Sequence, residues 1–191
     1  MSRLPDLTPD TMTAEQRRVH DMIASGPRGR VEGPLYSWLH APGLAERAQE
    51  LGAYCRYGTS LPPRLSELAI LVTAEYWRAG FEWYAHAPIA ARAGHTAENI
   101  EALRTGKTPS FTQEDERIVY DYARELLRTR AVSDATATRA HKVLGNTGVV
   151  DLVGVLGYYG LISMTIKGFE VPLPAGEPDP FAGLPSNVPE S

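Results

Sequence analysis

The sequence predicts an all-α fold. Apolar residues recur three and four positions apart over most of its 191 residues, as they do on the buried face of an amphipathic helix. Capping residues and Gly-Pro or Gly-Asn pairs separate these stretches, and no stretch alternates apolar and polar residues for long enough to form a strand. A chain of this length fills one well-packed domain and is short for two. We therefore predict a single helical domain over residues 1–191.

Start and stop signals divide the chain into helices. Thr13, Thr96, Thr112, Ser133 and Thr147 each precede an apolar helical pattern, where a hydroxyl side chain can cap the first free N–H groups. Prolines open other helices, and glycines end several of them. In chain order, the predicted helices cover Thr13 to Gly26, Pro34 to Ala41, Leu44 to Tyr57, Arg64 to Ala79, Phe81 to Gly94, Thr96 to Leu103, Thr112 to Leu127, Ser133 to Leu144 and Thr147 to Ile166.

The most apolar stretch, Val149 to Ile166, is predicted to be a buried core helix. It contains Asp151 and three glycines and stands alone, which disfavours a membrane span. Gly154, Gly157 and Gly160 repeat every third residue and are predicted to leave a smooth strip for close contact with another helix.

Both ends of the chain are rich in proline. Residues 1–12 are expected to form an extended N-terminal arm, and residues 171–191 an extended tail that clasps a partner subunit. The N-terminus has no apolar core, so no signal peptide is visible and a cytoplasmic location is expected.

Composition excludes several classes of function. The net charge of −4 and the absence of a basic run argue against binding to nucleic acid. A single cysteine, Cys55, rules out an internal disulfide and a CxxC redox or zinc motif. His20, His40, His95 and His141 show no metal-ligand spacing, so we predict no metal site.

Residues 62–94 form the candidate site, because carboxylates, a histidine and tryptophans gather there within an apolar helical pattern. Glu82 and His86 are four positions apart and would share one face of a helix. A carboxylate beside an imidazole holds one ring tautomer and sets its basicity. Pro88 removes one backbone hydrogen bond just after the histidine, so a bend that opens space for a pocket is predicted.

The segment RLSELAILVTAEYWRAGFEWYAHAPIAARAGHTAENIEAL resembles the carboxymuconolactone decarboxylase family, which includes the AhpD-like alkylhydroperoxidases. The later stretch GYYGLISMTIKGFEVPLP is similar to longer members of the group. In the peroxidase branch a glutamate precedes a CxxC pair and a histidine. Glu67 and His86 match the glutamate and the histidine, whereas Ala79 and Glu82 occupy the cysteine positions. Neither residue can supply a thiolate, so thiol peroxidase activity is not expected.

The resemblance implies an all-helical, symmetric oligomer, often a trimer or hexamer, and an enzyme that needs no cofactor. It points to the branch without cysteines, whose founding activity is loss of CO2 from a lactone acid in the catabolism of aromatic compounds. On this reading His86 acts as general acid/base, and Glu82 or Glu67 orients it. Two further assignments concern the substrate: Trp83 and Tyr84 would shape the pocket, and Arg78 would hold a carboxylate.

Other interpretations remain open at this stage. A lactone or ester hydrolase, or an isomerase, could use the same site, and a non-catalytic oligomeric ligand-binding protein could keep the fold without chemistry. Glu67 could simply pair with Arg64 or Arg78, and Cys55 is most simply a small core residue. A pocket that holds His86 beside a carboxylate would favour catalysis, whereas a solidly packed or solvated His86 would favour the binding protein.

Overall fold

The computed structural model describes residues 2–185, and all of the regular secondary structure in that range is helical. Pro-rich connections and single residues with positive φ separate the helices. In chain order the elements are α1 (Ala14–Ser25), α2 (Pro34–Trp38), α3 (Pro42–Ala53), a π-helical turn (Tyr54–Gly58), α4 (Pro63–Trp77), α5 (Gly80–Arg92), α6 (Ala97–Arg104), α7 (Glu114–Thr129) and α8 (Asp134–Phe169).

Three of the predicted hydroxyl caps are confirmed. Thr13 forms a full capping box with Gln16, and Thr96 and Ser133 accept backbone N–H groups at the starts of α6 and α8. Thr112 is an exception, because α7 begins only at Glu114. The first turn of α7 is instead stabilised by its acidic residues, and the Asp115 side chain accepts the N–H of Glu116.

Helix α4 lies at the centre of the domain and packs against α5, α7 and α8. Every residue from Leu65 to Glu75 is buried, so this helix has no solvent-exposed face over almost three turns. The chain leaves α4 through Arg78, whose backbone is left-handed (φ 50°, ψ 44°), and turns back into α5 at Gly80. This reversal lays α5 alongside α4, which brings the side chains of residues 62–94 together.

Helix α3 continues into the π-helical turn, so the predicted helix from Leu44 to Tyr57 is confirmed with a change of winding at Tyr54. A buried carboxylate from α8, Asp151, fixes this turn. Asp151 accepts hydrogen bonds of 2.7 Å from the Tyr54 hydroxyl and from both the backbone N–H and the hydroxyl of Ser60. The π-helical turn therefore lies next to the candidate site, and Asp151 on α8 holds it in place.

Helix α8 contains the predicted break at Gly145, where φ is 69° and ψ is 174°. Its apolar part is the one helix among residues 2–185 that is long and apolar enough to cross a membrane, but 67% of the relevant window is buried in the protein. The buried face carries residues such as Leu152 and Tyr159. That burial is characteristic of a core helix.

Within the single chain, the prediction that the glycine strip on α8 makes close contact with another helix is wrong. A Cβ atom added at Gly154, Gly157 or Gly160 would meet no other atom within 4 Å, so no described element packs closely there. One reason is geometric, since a three-residue repeat drifts around a helix with 3.6 residues per turn. Apolar residues do share an outward-facing stripe, here called the outer stripe of α8: Val150, Val153, Gly157, Leu161 and Met164.

The N-terminal arm lies across the end of α8. The backbone N–H of Arg3 donates to the carbonyl of Phe169 (2.9 Å), and its guanidinium pairs with Glu170 (2.6 Å). The tail follows without regular structure, and Phe181 is buried against Trp83. The part of the predicted tail at residues 186–191 lies outside the described residues.

Candidate active site

The site is a histidine held between two carboxylates. Glu67 on α4 contacts His86 Nδ1 through its Oε2 atom at 2.7 Å, and Glu82 on α5 contacts His86 Nε2 through its Oε1 atom at 3.0 Å. All three side chains are at least 94% buried. The sequence left open whether Glu67 or Glu82 pairs with His86, and the structure shows that both do.

Local geometry explains this arrangement. Glu82 and His86 are one helical turn apart and point in the same direction. Glu67 comes from the packed face of α4, where a carboxylate without a partner would be costly to bury. The alternative partners are engaged elsewhere, because Arg64 pairs with Asp115 and Glu116 on α7. The buried imidazole therefore satisfies both carboxylates, and they orient its ring.

The surroundings set the proton affinity of His86. Burial alone would lower the pKa of the imidazole, because it disfavours the charged ring. The charge of Glu82, followed by the hydrogen bonds that Glu67 and Glu82 accept from the ring, outweighs this effect and raises the pKa to about 9. His86 is consequently an imidazolium at neutral pH, with both ring N–H groups donated to carboxylates.

A cleft of about 110 Å³ opens onto His86 and Glu82. Residues from the α1–α2 loop, α2, the π-helical turn, α5 and α8 line it. They are Arg28, Arg30, Glu32, Pro34, Leu35, Arg56, Tyr57, Phe81, Glu82, Ala85, His86, Tyr158, Tyr159 and Ile162. Glu67 is absent from this lining, so it contacts the far side of the imidazole while Glu82 faces the cleft.

Two adjacent tyrosines of α8 form a wall of the cleft. The ring of Tyr159 meets the His86 ring edge-on, with centroids 5.1 Å apart. Burial raises the pKa of Tyr159 well above its usual value and that of Tyr158 to about 12, so both are neutral phenols. The Tyr158 hydroxyl accepts a hydrogen bond of 3.0 Å from the guanidinium of Arg28.

The structure does not bring the three predicted substrate contacts to this cleft. Tyr84 lies about 200° around α5 from Glu82, since each residue advances the helix by about 100°. Trp83 is buried against Phe181 in the core, with ring centroids 5.4 Å apart. The Arg78 guanidinium donates to the carbonyl of Arg104 (3.1 Å) and lies over the ring of Phe181.

Sequence reasoning missed the basic and phenolic residues of the cleft. Arg28 lies in a loop far from α5 in sequence. Tyr158 and Tyr159 belong to a helix whose apolar sequence predicts only a buried core helix. One available signal was the pair of adjacent tyrosines between glycines, GYYG, because buried phenols need hydrogen-bonding partners. Nothing in the sequence alone indicates that α8 passes beside α5.

Cys55 is buried and free, as the apolar pattern predicted, and it does not line the cleft. Burial raises the pKa of its thiol, which disfavours the reactive thiolate. Within residues 2–185 no group of three or more His, Cys, Asp or Glu side chains is placed to hold a metal ion.

Comparison with known proteins agrees with this picture. Residues 42–119 match the model of the "Carboxymuconolactone decarboxylase family". Among curated proteins, none matches the sequence significantly.

Solved structures share the fold at low sequence identity. An uncharacterized peroxidase-related protein from Silicibacter sp. TM1040 has a TM-score of 0.74 at 13% identity, over 96% of this chain and 95% of that one. An uncharacterized peroxidase-related protein from Ralstonia eutropha JMP134, described by its alkylhydroperoxidase AhpD core, has a TM-score of 0.74 at 12% identity, over 94% of each chain. A protein of unknown function from Agrobacterium tumefaciens has a TM-score of 0.65 at 14% identity, over 75% of this chain and 99% of that one. Residues 42–119 thus match the carboxymuconolactone decarboxylase family model, and the chain has an all-helical, AhpD-like fold.

Proposed function

We propose that the protein is a cofactor-free lyase that decarboxylates a small carboxylated lactone by proton transfer. One observation carries this proposal: His86 lies between Glu67 and Glu82, and the Glu82 side of the pair faces a cleft. A buried, charged imidazole bracketed by two carboxylates is a proton store of defined geometry. The stability of the fold does not require such a group, because apolar residues of similar volume would pack there without a desolvation cost.

The proposed reaction needs one proton and no electron acceptor. The bond between the ring carbon and the departing carboxylate breaks, and CO2 leaves. Its electron pair enters the unsaturated lactone, whose oxygen carries the resulting negative charge. A proton from the Glu82–His86 pair then adds to carbon, and solvent returns a proton to the pair.

The two carboxylates have different proposed roles. Glu82 and His86 touch the cleft and would contact the reacting atoms, so they are the proposed catalytic residues. Glu67 contacts only the far nitrogen of the ring, where it would fix the tautomer and stabilise the imidazolium. We therefore assign Glu67 as a positioning residue.

Thiol-based peroxide reduction is unsupported by the sequence and the site. The only cysteine, Cys55, lies outside the cleft, and the positions that match the cysteine pair hold Ala79 and Glu82. Ala79 is fully buried, whereas Glu82 places a carboxylate where a reactive sulfur would stand. At residue 82 the protein therefore has a carboxylate beside His86, which supports proton transfer rather than peroxide reduction.

The test is a turnover assay without added metal or thiol. Wild type, His86→Gln and Glu82→Gln are offered 4-carboxymuconolactone and a small panel of related lactone acids, and released CO2 is measured. We expect both variants to lose at least about 100-fold in kcat, because proton transfer by a positioned group is worth that much or more.

His95→Gln is the matched control for this assay. His95 is also a buried histidine, but it bonds the carbonyl of Arg64 and does not line the cleft. It should retain turnover. Equal turnover in wild type and His86→Gln would remove His86 from the mechanism. Ring opening without CO2 would indicate a hydrolase, and a folded protein inactive on the whole panel would favour a ligand-binding role.

We also propose that the chain forms a symmetric homo-oligomer, a trimer or hexamer. The outer stripe of α8 supports this proposal, because Val150, Val153 and Met164 are 70%, 43% and 50% exposed. Contiguous apolar surface of this kind is typical of a subunit contact. Gly157 lies in the middle of the stripe with open space above it, which would allow a partner helix to approach closely.

A further inference from the structure

The cleft contains a partly buried cationic group that has no anionic partner among the described residues. Within residues 2–185, the guanidinium of Arg28 forms no ion pair, and its one side-chain hydrogen bond is the 3.0 Å contact with the Tyr158 hydroxyl. Its Nε–H group is buried and has no hydrogen-bonding partner. Buried donors without a partner are rare and usually mark the place of a ligand or a water molecule. A group bound in the cleft would supply the acceptor that the Arg28 Nε–H group lacks.

Tyr158 leaves a second donor available beside Arg28. Its hydroxyl oxygen accepts from Arg28, and among residues 2–185 no acceptor takes the hydroxyl hydrogen. The phenol is neutral, since burial raises its pKa to about 12. A guanidinium and a neutral phenol that both line the cleft can donate to the same anionic oxygen.

The neighbouring helix makes room for this pair. Gly52 is buried in α3, and a Cβ atom there would overlap the Tyr158 hydroxyl and the Nη2 atom of Arg28. A glycine inside a helix is destabilising relative to alanine, so Gly52 is unfavourable for α3 itself. The backbone of α3 thus leaves the space that the Arg28–Tyr158 contact requires.

The other arginines of the cleft differ from Arg28. Arg30 is 73% exposed at the rim and pairs with Glu32 at 2.9 Å, so its charge is largely compensated. Arg56, on the π-helical turn, lies against the ring of Tyr57. Among residues 2–185, neither Glu67 nor Glu82 forms an ion pair with Arg28 or Arg56, because both carboxylates contact His86.

We propose that Arg28 and Tyr158 form an anion subsite that binds a substrate carboxylate and positions the substrate against Glu82 and His86. This inference rests on the proposed function and deepens it, because it identifies how the site recognises an acid. The guanidinium supplies the charge and the forked donors, and the phenol supplies a third hydrogen bond to a carboxylate oxygen.

The bound carboxylate is one that the reaction keeps. An arginine that gripped the departing carboxylate would stabilise the ground state more than the transition state, in which that charge leaves the oxygen atoms, and would slow the loss of CO2. A retained carboxylate is instead bound equally in both states. Loss of Arg28 should therefore raise KM strongly and change kcat by a smaller factor.

The binding test uses 2-furoate, a five-membered ring with one carboxylate, and its neutral isostere 2-furamide. Titration calorimetry measures both dissociation constants for wild type, Arg28→Met, Tyr158→Phe and Gly52→Ala. We expect wild type to prefer furoate by about tenfold or more, and Arg28→Met to lose that preference, because a hydrogen bond to a charged group is worth about that factor. Tyr158→Phe should lose a smaller part of the preference for furoate. Gly52→Ala should lose as much of that preference as Arg28→Met does.

Arg30→Met is the matched control, since it removes the same charge from the rim of the same cleft and should change furoate binding by less than about threefold. Equal furoate affinity in wild type and Arg28→Met, with both proteins folded, would overturn the subsite. If Arg28→Met lowered kcat without changing KM or furoate binding, the assignment would also be wrong.

Failure of the subsite can be told apart from failure of the proposed function. Furoate binding that depends on Arg28, without turnover of any lactone acid, would support the subsite and count against the lyase. Turnover that depends on His86, with furoate binding that is unchanged in Arg28→Met, would support the lyase and count against the subsite.

Discussion

At the scale of single residues, the main feature is the proton shared by a buried cluster of three ionisable groups. His86 has a carboxylate on each ring nitrogen, so the two charges that would be costly to bury alone stabilise the imidazolium instead. Only the Glu82 side is open to the cleft. The arrangement is therefore asymmetric, with Glu67 behind the imidazole ring and Glu82 between the ring and the cleft.

The raised pKa of His86 predicts how stability depends on pH. The folded-state pKa of about 9 lies above the unfolded value of 6.5. The stabilisation from the charged ring is therefore fully present below about pH 6.5 and is lost as pH rises through about 9. A difference of this size corresponds to about 3 kcal/mol of unfolding free energy.

Urea unfolding at pH 6 and pH 9.5 measures this effect. Wild type should lose more stability than His86→Gln over that interval, because the variant has no imidazole to release a proton. His95→Gln serves as the control and should follow wild type. A His86→Gln variant whose stability falls in parallel with wild type would show that His86 does not hold its proton as described.

At the scale of elements, the sequence predicted most helices correctly because their signals are local. Thr13, Thr96, Ser133 and the break at Gly145 lie at the predicted positions. The Glu82–His86 contact was also predictable, since it depends only on helical spacing. Arg28 and Tyr158 were not, because their place in the site depends on how a loop and a distant helix pack against α5.

The π-helical turn also could not be predicted from local signals. The contact that holds it joins Ser60 to Asp151, which lies 91 positions later in the sequence. Burial opposes ionisation of Asp151, but hydrogen bonds from Ser60 and Tyr54 lower the pKa of its carboxyl group. Asp151 is therefore a carboxylate at neutral pH that holds the segment carrying Arg56 at the edge of the cleft.

We predict that Asp151→Asn destabilises the protein by about 1–3 kcal/mol, because hydrogen bonds to a charged acceptor are lost or weakened in a buried place. Thermal unfolding measures the change. Asp121→Asn is the control, since Asp121 forms only a 3.4 Å surface contact with Arg139 and should cost less than about 1 kcal/mol. Equal melting temperatures for the two variants would contradict the structural role of Asp151.

At the scale of the whole molecule, the unpartnered surface of α8 is the feature that the single chain does not explain. The helix is buried on the side that forms the wall of the cleft, through Tyr158 and Tyr159, and apolar on the opposite side. A subunit contact along the outer stripe would therefore press on the same helix that lines the site. The proposed subunit contact and the cleft would therefore share one helix, α8.

The double variant Val153→Glu/Met164→Glu tests the proposed assembly. Both residues lie on the outer stripe, and they are 43% and 50% exposed in the single chain. Carboxylates placed there would be buried without a partner in the subunit contact, which is costly. We expect wild type to sediment as a trimer or hexamer and the variant to sediment as a smaller species with an unchanged circular dichroism spectrum.

Lys142→Glu provides the control, because Lys142 is exposed near the polar start of α8 and the same kind of charge is introduced away from the stripe. It should keep the wild-type mass. A double variant that also kept that mass would show that the outer stripe lies outside the contact. A monomeric wild type would remove the assembly altogether and leave the apolar stripe as exposed surface.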